Sequence, residues 1–432
     1  MATQAEPRLT GEEALAIVDP ANYVDWDSLL DRFDALRRKT PVVRVVNDEV
    51  HDPFWLVTSY DDVMRVSKDN KLFLNSPRSI TFSDKNSGAF VKSITGGDPN
   101  LVRSLVALDA PIHPQYRRLT QDWFMPKNLR KMEDEIRALA KVTVDRLVDA
   151  GGEADFVPLV SAPYPLHVVM QILGVPEADE QRMLFLTQQM FGGQDEDLNK
   201  SGMANMTPEQ VMQLVVGAVA DFEAYFAKLT QEKRANPTDD VASVIANAKV
   251  DGAHLSDRDM AGYYIILAAA GHDTTSASTA GAMLALARDP EQFARLKADR
   301  DLLPGIVEEA IRWTTPVQHF MRTAAEDTEL GGQKIAKDDW LMISYIAANH
   351  DESIFPEPRK FDASRSPNRH LSFGAGAHQC LGLHMARLEM KILFNELLDR
   401  IETLELAGEP KRAKSTFVGG LKTLPIRYRL SK

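Results

Sequence analysis

Cysteine is almost missing: Cys380 is the one thiol in 432 residues, so the chain has no internal disulfide. The N-terminus, MATQAEPRLTGEEALAIVD, is polar and acidic and lacks the basic-then-apolar pattern of a secretory signal. Together these predict a protein of the reducing cytoplasm. Long apolar runs are also missing. The stretch YYIILAAAG at 263–271 is stopped by His272 and Asp273, well short of a membrane span. Positive charge is in deficit: 50 Lys and Arg against 62 Asp and Glu give a net charge of −12. That excludes a general nucleic-acid binder, which needs a basic face to neutralise phosphates. Repeats and low-complexity segments are absent. With 44% hydrophobic residues a large core is within reach, and small apolar substrates and protein partners are the classes left open.

The pattern predicts one helix-rich domain over 1–432 with a small β-rich region. PVVRVV (41–46) and FWLVTS (54–59) read as a hairpin, followed by a short helix at DDVMRVSKD. Helical periodicity runs from Pro126 to about 150, across 164–192 and across 207–234, with a polar break at 192–207 expected to be a mobile loop. Ser256 and Asp259 form a capping-box pattern that opens a helix running to Asp289-Pro290, about 48 Å at 1.5 Å per residue. Its middle, AAAGHDTTSAST, is weak: Gly271 disfavours helix, and Thr274 and Thr275 divert backbone hydrogen bonds. A kink is expected there, and such irregularities gather at functional sites. A helix at 305–313, strands over 328–348, a helix at 381–400 and a short-stranded tail complete the reading.

Cys380 falls at the start of the 381–400 helix, where unpaired N–H groups and the macrodipole predict a lowered thiol pKa. Gly374 and Gly376 allow a tight turn that brings backbone near the sulfur. Three uses remain open: an inert buried thiol, a nucleophile with a His partner, and a thiolate ligand to haem, which needs only one. Zinc is disfavoured, because no second cysteine and no tight His spacing completes a tetrahedral set.

FGAGAHQCLG (373–382) resembles the cysteine-ligand loop of the haem-thiolate monooxygenases, the cytochromes P-450. Phe373, Gly374, Gly376, His378, Cys380 and Gly382 fall at its signature positions. Glu309-Ala-Ile-Arg312 matches that family's Glu-x-x-Arg, and 270-AGHDTT-275 matches its oxygen-activating helix motif. The resemblance covers essentially the whole chain. It implies the P-450 fold, mainly α with a small β-rich region and a long central helix over haem b, with Cys380 as the iron ligand. PIHPQYRRL (111–119) resembles a propionate-binding segment, which implies His113 and Arg117. FMRTAAED (320–327) resembles another, which implies Arg322, and His378 occupies a further propionate position. The resemblance also implies a structural network of Glu309, Arg312 and Arg365.

Asp273 and Thr274 are the expected catalytic pair: a hydroxyl at the oxygen site, with an acid one residue earlier that relays protons from solvent. His272 occupies a variable position and is expected to face away from haem. Expected pocket residues are Leu267, Ala270, Thr275, Val317, Phe417 and parts of 80–95. The implied reaction inserts one oxygen atom of O2 into a C–H bond of a small apolar substrate and reduces the other to water. No reductase-like domain is visible, so the resemblance implies electrons from an iron–sulfur ferredoxin with its NAD(P)H-dependent reductase. Arg118, Lys127, Arg130 and Lys131 are candidate docking cations for a monomeric, membrane-free enzyme. SITGGDPN (93–100), DWFMPKNLRKMEDEIR (122–137) and YPLHVVMQILGVPEADE (164–180) resemble the branch containing the bacterial α-terpineol hydroxylase, which implies a monoterpenoid or alkyl-aromatic substrate. A haem-binding sensor without turnover is the alternative from another class. A peroxide-driven variant fits less well with Asp273-Thr274, and a Cys hydrolase leaves Glu309 and Arg312 unexplained.

Overall fold

The β-branched and aromatic run of Val42–Val46 pairs antiparallel with Phe54–Val57, forming the expected hairpin. It is part of a six-stranded sheet with the order Arg8–Thr10, Val42–Val46, Phe54–Val57, Trp340–Ser344, His319–Ala324, Phe73–Leu74. Alternation sorts its side chains onto two faces. Val43, Val45, Phe54 and Leu56 pack into one core, while Val42, Trp55 and Val57 pack into another. The structure, a computed structural model, describes residues 6–191, 194, 195, 197 and 207–431. The polar break anticipated at 192–207 therefore lies mostly outside the described residues.

The larger core is helical. It is built around Glu133–Asp149, Pro163–Ile172, Asp257–Ala270, Asp273–Arg288, Leu303–Thr314 and Leu383–Arg400. Mostly helical elements with a small β-rich region are the fold class anticipated above. No described helix is long and apolar enough to cross a membrane.

Several boundaries differ from the sequence reading. The segment from Pro126 begins with a short helix and a 3-10 turn before Glu133. Strands Thr328–Leu330 and Gln333–Ile335 form a hairpin around Gly331-Gly332, and Trp340–Ser344 is a strand, but Tyr345–Asn349 is helical. Ser344 caps that turn by accepting the Ala347 N–H.

The expected 32-residue helix is two helices. Ser256 caps the first, accepting the Asp259 N–H at 3.1 Å while its hydroxyl donates to the Asp259 carboxylate at 2.7 Å. The helix stops at Ala270, and a second starts at Asp273. Between them His272 has ψ near −70°. The Thr274 hydroxyl donates to the Ala270 carbonyl at 2.7 Å, the back-bonding that bends helices. Glycine suits the break for a second reason: a Cβ on Gly271 would meet a Val169 methyl at 3.0 Å.

Candidate haem-thiolate site

The break between these helices opens onto an interior cavity of about 230 Å³. Cys380 lies on its wall. The preceding loop turns at Gly374 and Gly376, with φ of +66° and +77°, a region that L side chains rarely adopt. A Cβ on Gly376 would also sit 2.8 Å from the Lys68 Cα, so this turn packs against backbone. The Cys380 N–H donates to the Phe373 carbonyl at 2.8 Å, closing the loop.

The helix begins at Leu383 rather than 381, so Cys380 lies ahead of its first turn. The expected lowering of the thiol pKa is overturned. Burial pushes it up, and the Gly382 N–H, Arg117 and Arg387 offset that only in part. Stabilising the thiolate therefore needs more than the peptide dipoles, and bonding to a cation supplies it.

Around the same cavity stand His113, Arg117, Arg322 and His378. The His113 and His378 rings lie 4.0 Å apart between centroids. Burial, then Arg117, lowers His113 to about 4; burial, then His113 and the arginines, lowers His378 to about 2. Both are neutral near pH 7. Nε2 of His113 and both ring nitrogens of His378 are buried without a hydrogen-bond partner among the described residues. Arg322 is 5% exposed and donates to the Met321 carbonyl on its own strand. Burial lowers the pKa of both Arg117 and Arg322, the mark of cations held without full compensation. Such a cluster of donors fits a ligand bearing carboxylates at this end of the cavity. The residues present therefore fit haem: a thiol on the cavity wall and a set of buried donors without full compensation suit an iron porphyrin that bears carboxylates.

Leu267, Ala270, Thr274, Thr275 and Val317 also line the cavity. Asp273 does not line the cavity. Its carboxylate is 35% exposed and lies 3.1 Å from Nδ1 of His272, out of hydrogen-bonding alignment. His272 is buried and, as expected, away from the cavity. Two pocket expectations fail. Phe417 sits one layer out, packed edge-on against Phe320 at 5.4 Å, and it is Phe320 that reaches the wall. None of residues 80–95 lines the cavity: Phe82 stacks on Trp340, and the Lys85–Ile94 helix buries no side chain. Leu105, Val106, Val169 and Ile172 take their place. These are apolar residues in segments that sequence periodicity marks only as core.

Beneath the cysteine loop, Glu309 and Arg312 are fully buried and paired through two hydrogen bonds of 2.7 and 2.8 Å. Arg365 Nε lies 3.2 Å from both Glu309 oxygens, and Asn368 donates to one at 3.0 Å. Arg312 also donates to the Asn349 and Pro358 carbonyls. The network joins the helix Leu303–Thr314 to the loop that leads into the cysteine turn.

Sequence reasoning missed Glu389. It is 3% exposed on the cavity wall, and burial pushes its carboxyl well above the ordinary range, opposed by a hydrogen bond with Thr275. The signal was spacing: Met385, Glu389 and Leu393 fall on one helical stripe, so a carboxyl stands on an apolar face. Glu308, His370 and Arg387 were missed as well. Glu308 receives Arg387 at 2.5 and 2.8 Å and lies 3.3 Å from His370.

The cytochrome P450 family model matches residues 26–430. Cytochrome P450-terp of a Pseudomonas species is 45% identical over 415 residues, covering 96% of this chain and 97% of its own. Linalool 8-monooxygenase of Pseudomonas putida is 32% identical over 400 residues, 92% of this chain and 94% of its own. Among solved structures, CYP108D1 from Novosphingobium aromaticivorans matches with a TM-score of 0.92 at 64% identity, over 98% of this chain and 100% of that one. Alike in sequence and fold along nearly its whole length, the chain belongs to the cytochrome P450 family, the haem b-binding monooxygenases.

Proposed function

We propose that this monooxygenase hydroxylates a compact apolar substrate, a monoterpenoid or alkyl-aromatic, in a single cytoplasmic domain spanning 1–432. The observation that carries this reading is the apolar part of the cavity wall around the break in the helix. Leu105, Val106, Val169, Leu267, Ala270 and Val317 meet there with no charged side chain among them. Such a surface binds by burying apolar area, at roughly 25 cal/mol per Å², and offers nothing to an ionic substrate. The relatives named cytochrome P450-terp and linalool 8-monooxygenase support a terpenoid.

In this reading Cys380 would ligate the haem iron through its thiolate, and His113, Arg117, Arg322 and His378 would hold the propionates. Phe373 and Gly374 shape the cysteine turn. When bound, haem supplies the iron at which dioxygen is held and cleaved. Thr274 holds a proton donor at the break in the helix. Asp273, the preceding residue with a partly exposed carboxylate, exchanges protons with solvent and passes them inward. Glu309, Arg312 and Arg365 keep the loop in register with the helices.

Electrons come from an iron–sulfur ferredoxin and its NAD(P)H-dependent reductase. Arg118, Lys127, Arg130 and Lys131 support a docking face: all four are exposed, and none makes an ion pair among the described residues. Exposed Met125 lies within this group. Such a patch attracts an acidic partner despite the chain's negative charge. The enzyme acts as a monomer.

The test is a spin-state titration of the haem-loaded protein with terpene alcohols, alkylbenzenes, a steroid and a fatty acid. Turnover with ferredoxin, reductase and NADH follows. Terpenoids or alkylbenzenes are expected to give the tightest shifts and hydroxylated products. A response confined to the steroid or the fatty acid would overturn the compact-substrate reading.

A further inference from the structure

Glu308, one residue before the buried Glu309, gathers a second cluster against the cysteine loop. Its carboxylate grips Arg387 through Nε and Nη2 and touches His370 through Nε2. Both partners bear on one ring. The Arg387 guanidinium carbon lies 4.6 Å from the Phe373 centroid, and the His370 ring lies 5.5 Å from it. Phe373 in turn accepts the Cys380 N–H through its carbonyl. One carboxylate thus fixes the two groups that flank the first residue of the cysteine turn. Glu308 and Arg387 are 29% and 26% exposed, so the pair is only partly screened. Burial raises the Glu308 carboxyl, but hydrogen bonds from Arg387 and His370 outweigh it and bring it down to about 2. The pair is therefore ionised near neutral pH. Arg387 is also one of the charges that favour the thiolate of Cys380.

We propose that Glu308 and Arg387 are positioning residues that set the reduction potential of the haem, acting on Cys380 through Phe373 and the loop backbone. This rests on Cys380 being the residue that would ligate the haem iron, as proposed above. Arg387 brings positive charge toward the sulfur and favours the reduced state, which carries one more electron. Glu308 cancels part of that charge and holds the guanidinium plane on the ring.

The experiment is a spectroelectrochemical titration of the ferric/ferrous couple in wild type, Glu308→Gln, Arg387→Met and Arg387→Gln. Two Arg387 variants are used so that one poor folder leaves the other to decide. Loss of the cation, with Glu308 left unpaired, is expected to lower the potential. Loss of the anion, with Arg387 left unpaired, is expected to raise it. The expected size is about tenfold in the reduction equilibrium, about 59 mV for one electron. Opposite signs are what a mere loosening of the loop does not give. Shifts of one sign in all variants, or unchanged potentials, overturn the proposal. Weakened ferredoxin binding at unchanged potential also overturns it, by assigning Arg387 to docking. A carbonmonoxy difference spectrum of each reduced protein separates the two levels of the argument. A thiolate-type band in the wild type upholds Cys380 as ligand whatever the potentials do, and its absence sinks that reading instead.

Discussion

Thr274 sits where a regular helix would have closed its next turn. Its hydroxyl proton is committed to the Ala270 carbonyl at 2.7 Å, while the side chain lies on the cavity wall. The oxygen lone pairs are left to accept from whatever occupies the space in front of them, and the hydrogen bond fixes their direction. Thr274→Ala should leave haem incorporation intact and divert reducing equivalents to hydrogen peroxide. Product formation should fall on the order of 10²-fold, the low end for loss of a positioned proton donor. Peroxide and product measured per NADH decide the matter; unchanged coupling would remove Thr274 from the proton route. The threonine was legible in the sequence because a hydroxyl beside an acid and a glycine is unusual inside a helix. Glu389 was legible only as a carboxyl on an apolar helix face; its place beside Thr275 depends on which side of the helix faces the cavity.

At the scale of elements, the loop that carries Cys380 has little regular structure of its own and takes its shape from its neighbours. Helix Leu303–Thr314 holds it through two adjacent carboxylates, Glu309 inward and Glu308 toward Arg387. Glu309 accepts from Arg312, Arg365, Asn368 and the Asp362 N–H, so its full charge has four donors around it. Glu309→Gln should destabilise the fold by about 3–5 kcal/mol, because it leaves two arginines short of a buried counter-charge. Urea unfolding of the variant, with haem content measured alongside, tests this. Stability within about 0.5 kcal/mol of wild type would show that the network is dispensable. The hairpin, the Ser256 cap and the weak point at Gly271 could all be read from local pattern. The break itself needed the structure, since Val169 from another helix is what closes against Gly271.

Across the whole molecule, His350 shows how acid acts on the fold. It is 1% exposed, hydrogen-bonded through Nδ1 to the Ile346 carbonyl at 3.0 Å, and packed edge-on against Trp26 of the N-terminal region. Burial, then Arg312, lowers it to about 3, and Arg37 and Arg359 act in the same direction. The unfolded chain takes up this proton near pH 6.5 and the folded chain does not. Its contribution is therefore fully present above pH 6.5 and is lost as pH falls toward the folded value. The stability of wild type relative to His350→Gln should drop by up to about 1.4 kcal/mol per pH unit between pH 6 and 4, read from denaturant midpoints. A constant difference would mean that the buried ring is already charged. The sequence by itself determined the chemical class of this protein. The cysteine turn, Glu309-x-x-Arg312 and the AGHDTT segment are short patterns whose residues carry the chemistry, so they are legible without a fold. Only the tertiary structure decided which apolar segments wall the cavity, that Phe417 stands behind Phe320, and that Glu308 meets Arg387 across 79 residues. Those contacts join faces of elements far apart in the chain, and packing, not local pattern, selects which faces meet.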